Sequence, residues 1–267
     1  MIGWTFGRAP FVIAGPCVVE PGDTLPRVAD VLARFAERRR VPVCFKASFD
    51  KANRSALAGA RGPGAEEGLR VLERIRASSG LPLLTDIHEP GQAAQAAEVV
   101  DILQIPAFLC RQTDLLVAAG RTGRPVNVKK GQWMPAEGMG GSVEKVRSGG
   151  SREVAVTERG TFFGYGDLVV DMRSFTRLRE ACDAPVIFDA THSVQKPGQG
   201  PDGASGGARE YVPLLALSAI AAGAQALFLE THPTPDSAPS DGPNMLPLTA
   251  IEDLIDRAVD IWARVSQ

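Results

Sequence analysis

Short apolar runs alternate along the chain with polar loops rich in glycine and proline, and then with stretches of helical repeat. The apolar runs lie at 11–14, 41–46, 81–85, 101–105, 125–128, 153–157, 185–188 and 225–230, and each is expected to form a strand. Between them the helical pattern recurs near 24–40, 64–78, 90–99, 112–122, 142–148, 173–182 and 206–222, and a last time near 248–265. In that final segment Leu248, Ile251, Leu254, Ile255, Ala258, Val259 and Trp262 fall on one face. Thr249 is the expected N-cap there, with Glu252 completing a capping box.

Eight strands alternating with eight helices predict a parallel sheet. Eight repeats in about 255 residues fit a closed (β/α)8 barrel better than an open doubly wound sheet. No G-x-G-x-x-G follows the first strand, which also weighs against a dinucleotide-binding fold. With no linker or break in composition, residues 1–267 are read as one domain.

Composition narrows the partners. A net charge of −2 gives no reason to expect nucleic acid or an anionic membrane, so any anion site must be a local concentration of cations. Cys17, Cys44, Cys110 and Cys182 are scattered without a C-x-x-C pair, as expected in a reducing compartment. There is no signal-peptide pattern and no apolar run of membrane-spanning length, so a cytoplasmic location is expected.

The candidate chemistry lies just past the strands, where barrel enzymes carry their sites. The second strand runs into Lys46-Ala-Ser-Phe-Asp-Lys51-Ala-Asn53-Arg54-Ser55, and later strands deliver Asp86 and His88, Ala107 and Arg111, Lys129 and Lys130, Glu158 and Arg159, and His192. Lys46, Lys51, Arg54, Arg111, Lys129 and Arg159 would place six cations on one rim, a set suited to two phosphates and a carboxylate. Some of them would instead be structural ion pairs with Asp50, Asp86 or Glu158. Cys17, His192, Glu230 and Asp241 form a second set, one that suits a divalent transition metal. From spacing alone a lone cysteine such as Cys17 is more often a core residue than a ligand, and His88 and His232 are rival imidazoles. The run Gly203-Ala-Ser-Gly-Gly207 reads as a mobile loop ahead of a helix rather than a phosphate cradle. No G-x-S-x-G or P-loop is present.

Several blocks in order resemble the 3-deoxy-D-manno-octulosonate 8-phosphate synthase family over nearly the whole chain. They are Ile13-Ala-Gly-Pro-Cys17, Phe45 to Ser55, Thr85-Asp-Ile-His-Glu89, Gln104 to Asp114, Val126-Asn-Val-Lys-Lys-Gly131, Thr157-Glu-Arg-Gly160, Asp189-Ala-Thr-His-Ser-Val194 and Glu230-Thr-His-Pro233. The resemblance implies a cytoplasmic (β/α)8 barrel, a homotetramer, that condenses phosphoenolpyruvate with D-arabinose 5-phosphate and water in lipopolysaccharide sugar synthesis. It implies that Lys46, Lys129, Arg159 and the backbone of Ala107 hold phosphoenolpyruvate, with Lys51 near its carboxylate. Asn53 and Asp86 would meet sugar hydroxyls; Arg54 and Ser55 would hold the aldose phosphate, with Arg111 reaching in from a neighbouring subunit. Lys51, Lys129 and Asp241 are the residues expected to act in the chemistry.

The family divides at the position of Cys17, and the cysteine implies the metal-dependent branch. One divalent ion per subunit (Zn, Fe, Mn or Co) would then sit on Cys17, His192, Glu230 and Asp241. Ala56 departs from the pattern, standing where many members have a second serine. The segment 134–151 is expected to be irregular, and loop 195–206 to close over substrate. The rival within reach is 3-deoxy-D-arabino-heptulosonate 7-phosphate synthase, which uses a four-carbon aldose phosphate; the Lys51-Ala-Asn-Arg-Ser55 run favours the five-carbon enzyme.

Overall fold

A computed structural model describes residues 5–7, 10–52, 60–162, 164, 166–200 and 205–265. The expected strands form as β1 (Phe11–Gly15), β2 (Val43–Lys46), β3 (Leu83–Asp86), β4 (Ile102–Ile105), β5 (Val126–Lys129), β6 (Val154–Glu158), β7 (Val186–Asp189) and β10 (Ala226–His232). They pair in parallel in chain order, and β1 pairs back onto β10 from Phe11↔Ala226 to Gly15↔Glu230, closing the barrel. The chain is thus a (β/α)8 barrel. Two short strands, β8 (Gln195–Lys196) and β9 (Gly206–Gly207), pair antiparallel with each other, and β11 (Leu246–Pro247) pairs with the end of β10.

The helices are α1 (Thr24–Arg39), α2 (Ala65–Ser79), α3 (Gln92–Val99), α4 (Thr113–Arg121), α5 (Gly140–Gly149), α6 (Ser174–Cys182), α7 (Val212–Ala221) and α8 (Leu248–Val265). Each helix with a clear apolar stripe turns it inward: α1 buries Leu25, Val28, Leu32 and Phe35. In α8 the expected face packs with Val259 only partly buried, and Trp262 Nε1 donates to the Ala224 carbonyl at 2.9 Å. Gly80, at φ +71°, supplies the left-handed residue that ends α2, and its N–H donates to the Arg76 carbonyl.

Three local expectations change. Helix α8 begins at Leu248, so Thr249 lies inside its first turn and does not precede it. Helix α7 begins at Val212, later than residue 206, because Gly206 and Gly207 are spent in the pairing with Gln195 and Lys196 and Pro213 suits a first turn. The segment 134–151 is mostly ordered, as a 3-10 turn at Ala136–Met139 followed by α5.

Alternation along the strands divides the barrel into an inside and an outside. Val12, Val43, Leu83, Leu103, Val126, Val156 and Val186 point outward into the helix layer. Phe11, Ile13, Cys44, Leu84, Ile102, Ala155, Ile187, Ala226 and Phe228 fill the interior, and Phe6 packs on Phe11. Two residues further along each strand the interior turns polar, with Lys46, Asp86, Gln104, Lys129, Thr157, Asp189 and Glu230 all buried. On β1 that position is Gly15, where a Cβ would lie 2.0 Å from the Lys46 carbonyl oxygen, so only glycine lets β1 and β2 approach there.

Candidate active site

The polar layer opens into a cavity of about 410 Å³ lined by Lys46, Lys51, Asp86, Ala107, Lys129, Arg159, His192, Glu230 and Asp241 among others. Nearly every expected site residue among those described is therefore in one place. Arg111 and Cys17 are the exceptions: Arg111 is exposed and Cys17 is buried with its thiol against Asp241, and neither lines the cavity. Asn53, Arg54 and Ser55 lie outside the described residues.

Parity along the strands sorts the adjacent charged pairs. Lys129 and Arg159 face the cavity, whereas Lys130 and Glu158 turn to the other side, where Lys130 Nζ lies 3.4 Å from Glu158 Oε1. Glu158 Oε1 in turn accepts the N–H groups of Arg159 and Gly160 at 2.9 and 2.7 Å. These two residues, expected on the rim, brace the turn that carries Arg159.

Three of the cavity lysines are paired. Lys46 Nζ donates to Glu230 Oε1 at 2.7 Å and to the Cys17 carbonyl at 2.8 Å. Lys51 Nζ meets Asp241 Oδ2 at 2.9 Å, and Lys129 Nζ meets Asp189 Oδ2 at 2.7 Å while sitting 3.5 Å from the centroid of the Phe228 ring. Ion pairing was the alternative reading of the basic rim, but the partners differ from those expected. Asp50 is engaged by Arg61 and Glu158 by Lys130, and Asp86 lies a looser 3.9 Å from Lys46. Burial, the largest single influence, pulls the Lys46 and Lys51 ammonium groups toward neutrality, but the surrounding groups together, Glu230 foremost for Lys46 and Asp241 for Lys51, outweigh it and hold both above their ordinary range.

Arg159 is different. Its guanidinium is 3 % exposed, its Nη1 has no partner, and its Nη2 donates to the neutral Gln195 Oε1 at 3.1 Å. No carboxylate lies within ion-pair distance of it among the described residues. Burial lowers its pKa, with Asp189 and Glu158 acting only from a distance. A buried cation left so is costly unless an anion completes it.

The second set also converges. One donor atom each from Cys17, Glu230 and Asp241 lie within 4.8 Å of one another. His192 Nδ1 is 2.7 Å from Asp189 Oδ2, and burial notwithstanding, His192 and Lys129 hold Asp189 well below the usual carboxylate range. Nε2 of the same ring lies 3.5 Å from Glu230 Oε2. Glu230 Oε2 is buried and accepts no hydrogen bond. A ring nitrogen facing a carboxylate oxygen that accepts no hydrogen bond, with a thiol and a second carboxylate nearby, fits a divalent cation, although His192 stands outside the tightest group of Cys17, Glu230 and Asp241. The Cys17 thiol is pushed up by burial and by Glu230, and donates to Asp241 Oδ2 at 3.2 Å. Of the rival imidazoles, His232 is taken up by Glu20, its Nε2 2.8 Å from Glu20 Oε1, whereas His88 lines the cavity, packs edge-on against Phe49 and has a buried Nδ1 without a partner.

Asp189, the first residue of the block after the seventh strand, lies at the inward position of β7, two residues past Ile187. Other functional neighbours had no signal strong enough to single them out. Ser48, Gln132, Gln195 and Ser205 also line the cavity, but uncharged polar residues in loops are too common to be noticed in a sequence. Lys196, at the mouth, pairs with Asp167 at 3.2 Å.

Comparison with known proteins agrees with this geometry. Residues 5–261 match the model of the DAHP synthetase I family. A protein of Nitrobacter winogradskyi is 55% identical over 266 residues, covering 98% of this chain and 92% of its own. One of Syntrophobacter fumaroxidans is 52% identical, covering 98% of this chain and 90% of its own, and one of Bradyrhizobium diazoefficiens is 53% identical, covering 95% and 92%. All three carry the name 2-dehydro-3-deoxyphosphooctonate aldolase.

Proposed function

The chain belongs to the DAHP synthetase I family, and from that membership and the geometry of its cavity we propose that it condenses phosphoenolpyruvate with D-arabinose 5-phosphate and water. The products are 3-deoxy-D-manno-octulosonate 8-phosphate and inorganic phosphate, as part of lipopolysaccharide sugar synthesis. The alternative, a four-carbon aldose phosphate, is not favoured, because the relatives compared carry the eight-carbon name. The observation that carries the reading is Arg159, a buried guanidinium without a carboxylate, in the same cavity as three lysines that already have one.

Arg159 and Lys129, with the backbone of Ala107, hold the phosphate of phosphoenolpyruvate, and Lys46 and Lys51 neutralise its carboxylate. The C3 carbon of the enol attacks the aldehyde carbon, forming the new C–C bond, while water adds at C2. The resulting hemiketal phosphate breaks its C2–O bond and releases phosphate. Lys129 and Arg159 are already in place where charge collects on the leaving phosphate, so no reorganisation is needed there. Asp241 is held ionised: against burial, Lys51 and His192 keep its pKa far down. It therefore serves as an acceptor that orients the water rather than as a strong base, with Lys51 beside it. Holding both substrates in one cavity supplies much of the rest. A divalent ion on Cys17, His192, Glu230 and Asp241 would supply Lewis acidity next to the aldehyde and water positions.

In this reading Asn53 meets sugar hydroxyls, and Arg54 and Ser55 hold the aldose phosphate, with Arg111 reaching in from a neighbouring subunit. The chain works as a homotetramer in the cytoplasm. Phe108 and Trp133 support the assembly, since both are exposed and stack at 5.8 Å, and Phe108 is close in sequence to Arg111. The four free cysteines, all buried, suit a reducing compartment, and no helix of the described residues is long and apolar enough to cross a membrane. The test is phosphate release from phosphoenolpyruvate with either aldose phosphate. Release with arabinose 5-phosphate is expected, and a preference for erythrose 4-phosphate overturns the assignment.

A further inference from the structure

Four buried polar side chains stand side by side inside the barrel, on β3 to β6. Asp86, Gln104 and Asn127 are direct partners in the strand register, so their side chains share one row of the inner face. Gln104 Nε2 donates to Asp86 Oδ1 at 2.7 Å, Asn127 Nδ2 donates to Gln104 Oε1 at 2.8 Å, and Thr157 Oγ1 donates to Asn127 Oδ1 at 2.7 Å. Gln104, Asn127 and Thr157 are fully buried, and of the four only Asp86 lines the cavity.

The direction of the file follows from its end. An ionised carboxylate only accepts, so Gln104 must present its NH₂ group to Asp86 and its oxygen to Asn127. Asn127 must then present its own NH₂ to Gln104 and its oxygen to Thr157, whose hydroxyl is the terminal donor. Every hydrogen bond points the same way, and such chains polarise cooperatively in a low-dielectric interior. The other carboxylate oxygen of Asp86 accepts from Ser48 Oγ. Both oxygens are thus tethered from behind, and their remaining lone pairs face the cavity.

We propose that Thr157, Asn127 and Gln104 are positioning residues that lock Asp86 as a fixed hydrogen-bond acceptor for a hydroxyl of the aldose phosphate. The inference rests on the condensation proposed above and adds to it the origin of selectivity for the polyol half of the reaction. A plain apolar filling of these positions would pack the barrel as well. It would leave Asp86 free to rotate or to take up a proton, and the site would lose its preference for a donor hydroxyl at that point.

The test is Gln104→Glu, which keeps the shape but sets two carboxyl groups in contact, so that one must carry a proton. Asp86 is also faced by Lys46 from β2, Lys129 from β5 and His88 from its own loop, and the wild type measured in parallel controls for these. In the variant, KM for arabinose 5-phosphate is expected to rise at least about tenfold at pH 8 and to recover toward pH 6 as the shared proton returns, with KM for phosphoenolpyruvate within about threefold of wild type. Thr157→Val, which removes only the terminal donor, is expected to give a smaller rise, with no new pH dependence. A flat pH profile with both KM values changed alike would mean that the file is structural packing, and would overturn the inference. Failure of the wild type to use arabinose 5-phosphate would overturn the functional reading instead; the carboxylic-acid carbonyl band of the variant, read by infrared spectroscopy across the same pH range, would then still decide whether residue 104 and Asp86 are hydrogen-bonded closely enough to share one proton, its absence at pH 6 counting against the file.

Discussion

The lower interior of the barrel is filled by Phe11, Ile13, Cys44, Leu84, Ile102, Ile187 and Phe228, while the positions two residues on carry Gly15, Lys46, Asp86, Gln104, Asp189 and Glu230. Both layers are almost inaccessible to water, and they hang from the same strands. The lower one gains free energy by removing hydrocarbon from water, on the order of 1.5–3 kcal/mol for each large side chain. The upper one gains little, because ion pairs such as Lys46–Glu230 roughly repay the desolvation of their own charges. Phe228 joins the two, with its ring packed in the lower layer and its face under the ammonium groups of Lys129 and Lys46 at 3.5 and 5.5 Å. Stability is thus concentrated below and chemistry above, and substitutions should separate accordingly.

The largest separation is expected at Arg159. Arg159→Met should lower kcat/KM for phosphoenolpyruvate by about 10³. Because no carboxylate is left orphaned, its midpoint in urea should match or exceed the wild type. A strong loss of stability would show that Arg159 belongs to the structural layer. Phe228→Ala is expected to do the reverse in the first instance, costing about 3–5 kcal/mol in denaturant unfolding. Its folded fraction should keep measurable turnover, reduced because Lys129 loses the ring beneath it. Comparable stability in wild type and variant would break the division between the layers.

A smaller effect should appear at His88, on the loop past β3. Burial holds its pKa below the ordinary value. The unfolded chain therefore binds a proton near pH 6.5 that the folded chain refuses, so this contribution to stability is intact above that pH and is lost as pH falls, by at most about 1.4 kcal/mol per pH unit. In His88→Gln the fall between pH 7 and 5 should be correspondingly shallower, as urea midpoints taken across that range would show. Identical slopes would mean the ring is accessible to protons in the folded state.

The same alternation explains how much of this was legible from residues alone. The eight strands, their helices and most of the cavity residues follow from apolar periodicity plus the rule that polar residues gather past the strand ends. Lys130 and Glu158 were misplaced because closeness in sequence to Lys129 and Arg159 was read as closeness in space. In a strand one step reverses the face, and counting parity from Val128 and Val156 would have turned both outward. The start of α7 was set too early because an apolar helical pattern does not reveal that Gly206 and Gly207 before it are committed to a strand pairing with Lys196 and Gln195. The partners of the lysines were beyond reach, since Glu230 and Asp241 are remote in sequence from Lys46 and Lys51 and only closure of the barrel joins them.

The upper layer owes its arrangement, on this account, to a substrate anion at Arg159 and a divalent ion between His192 and Glu230. The most direct measurement is metal content and turnover on the same samples: enzyme stripped with a chelator, then reloaded separately with Zn, Fe, Mn or Co. About one ion per chain should bind in competition with the chelator. Condensing activity should be absent from the stripped enzyme and return with at least one of the metals, and Cys17→Asn should hold the ion more weakly. Full activity in stripped wild-type enzyme, with no metal detected by elemental analysis, would contradict the account.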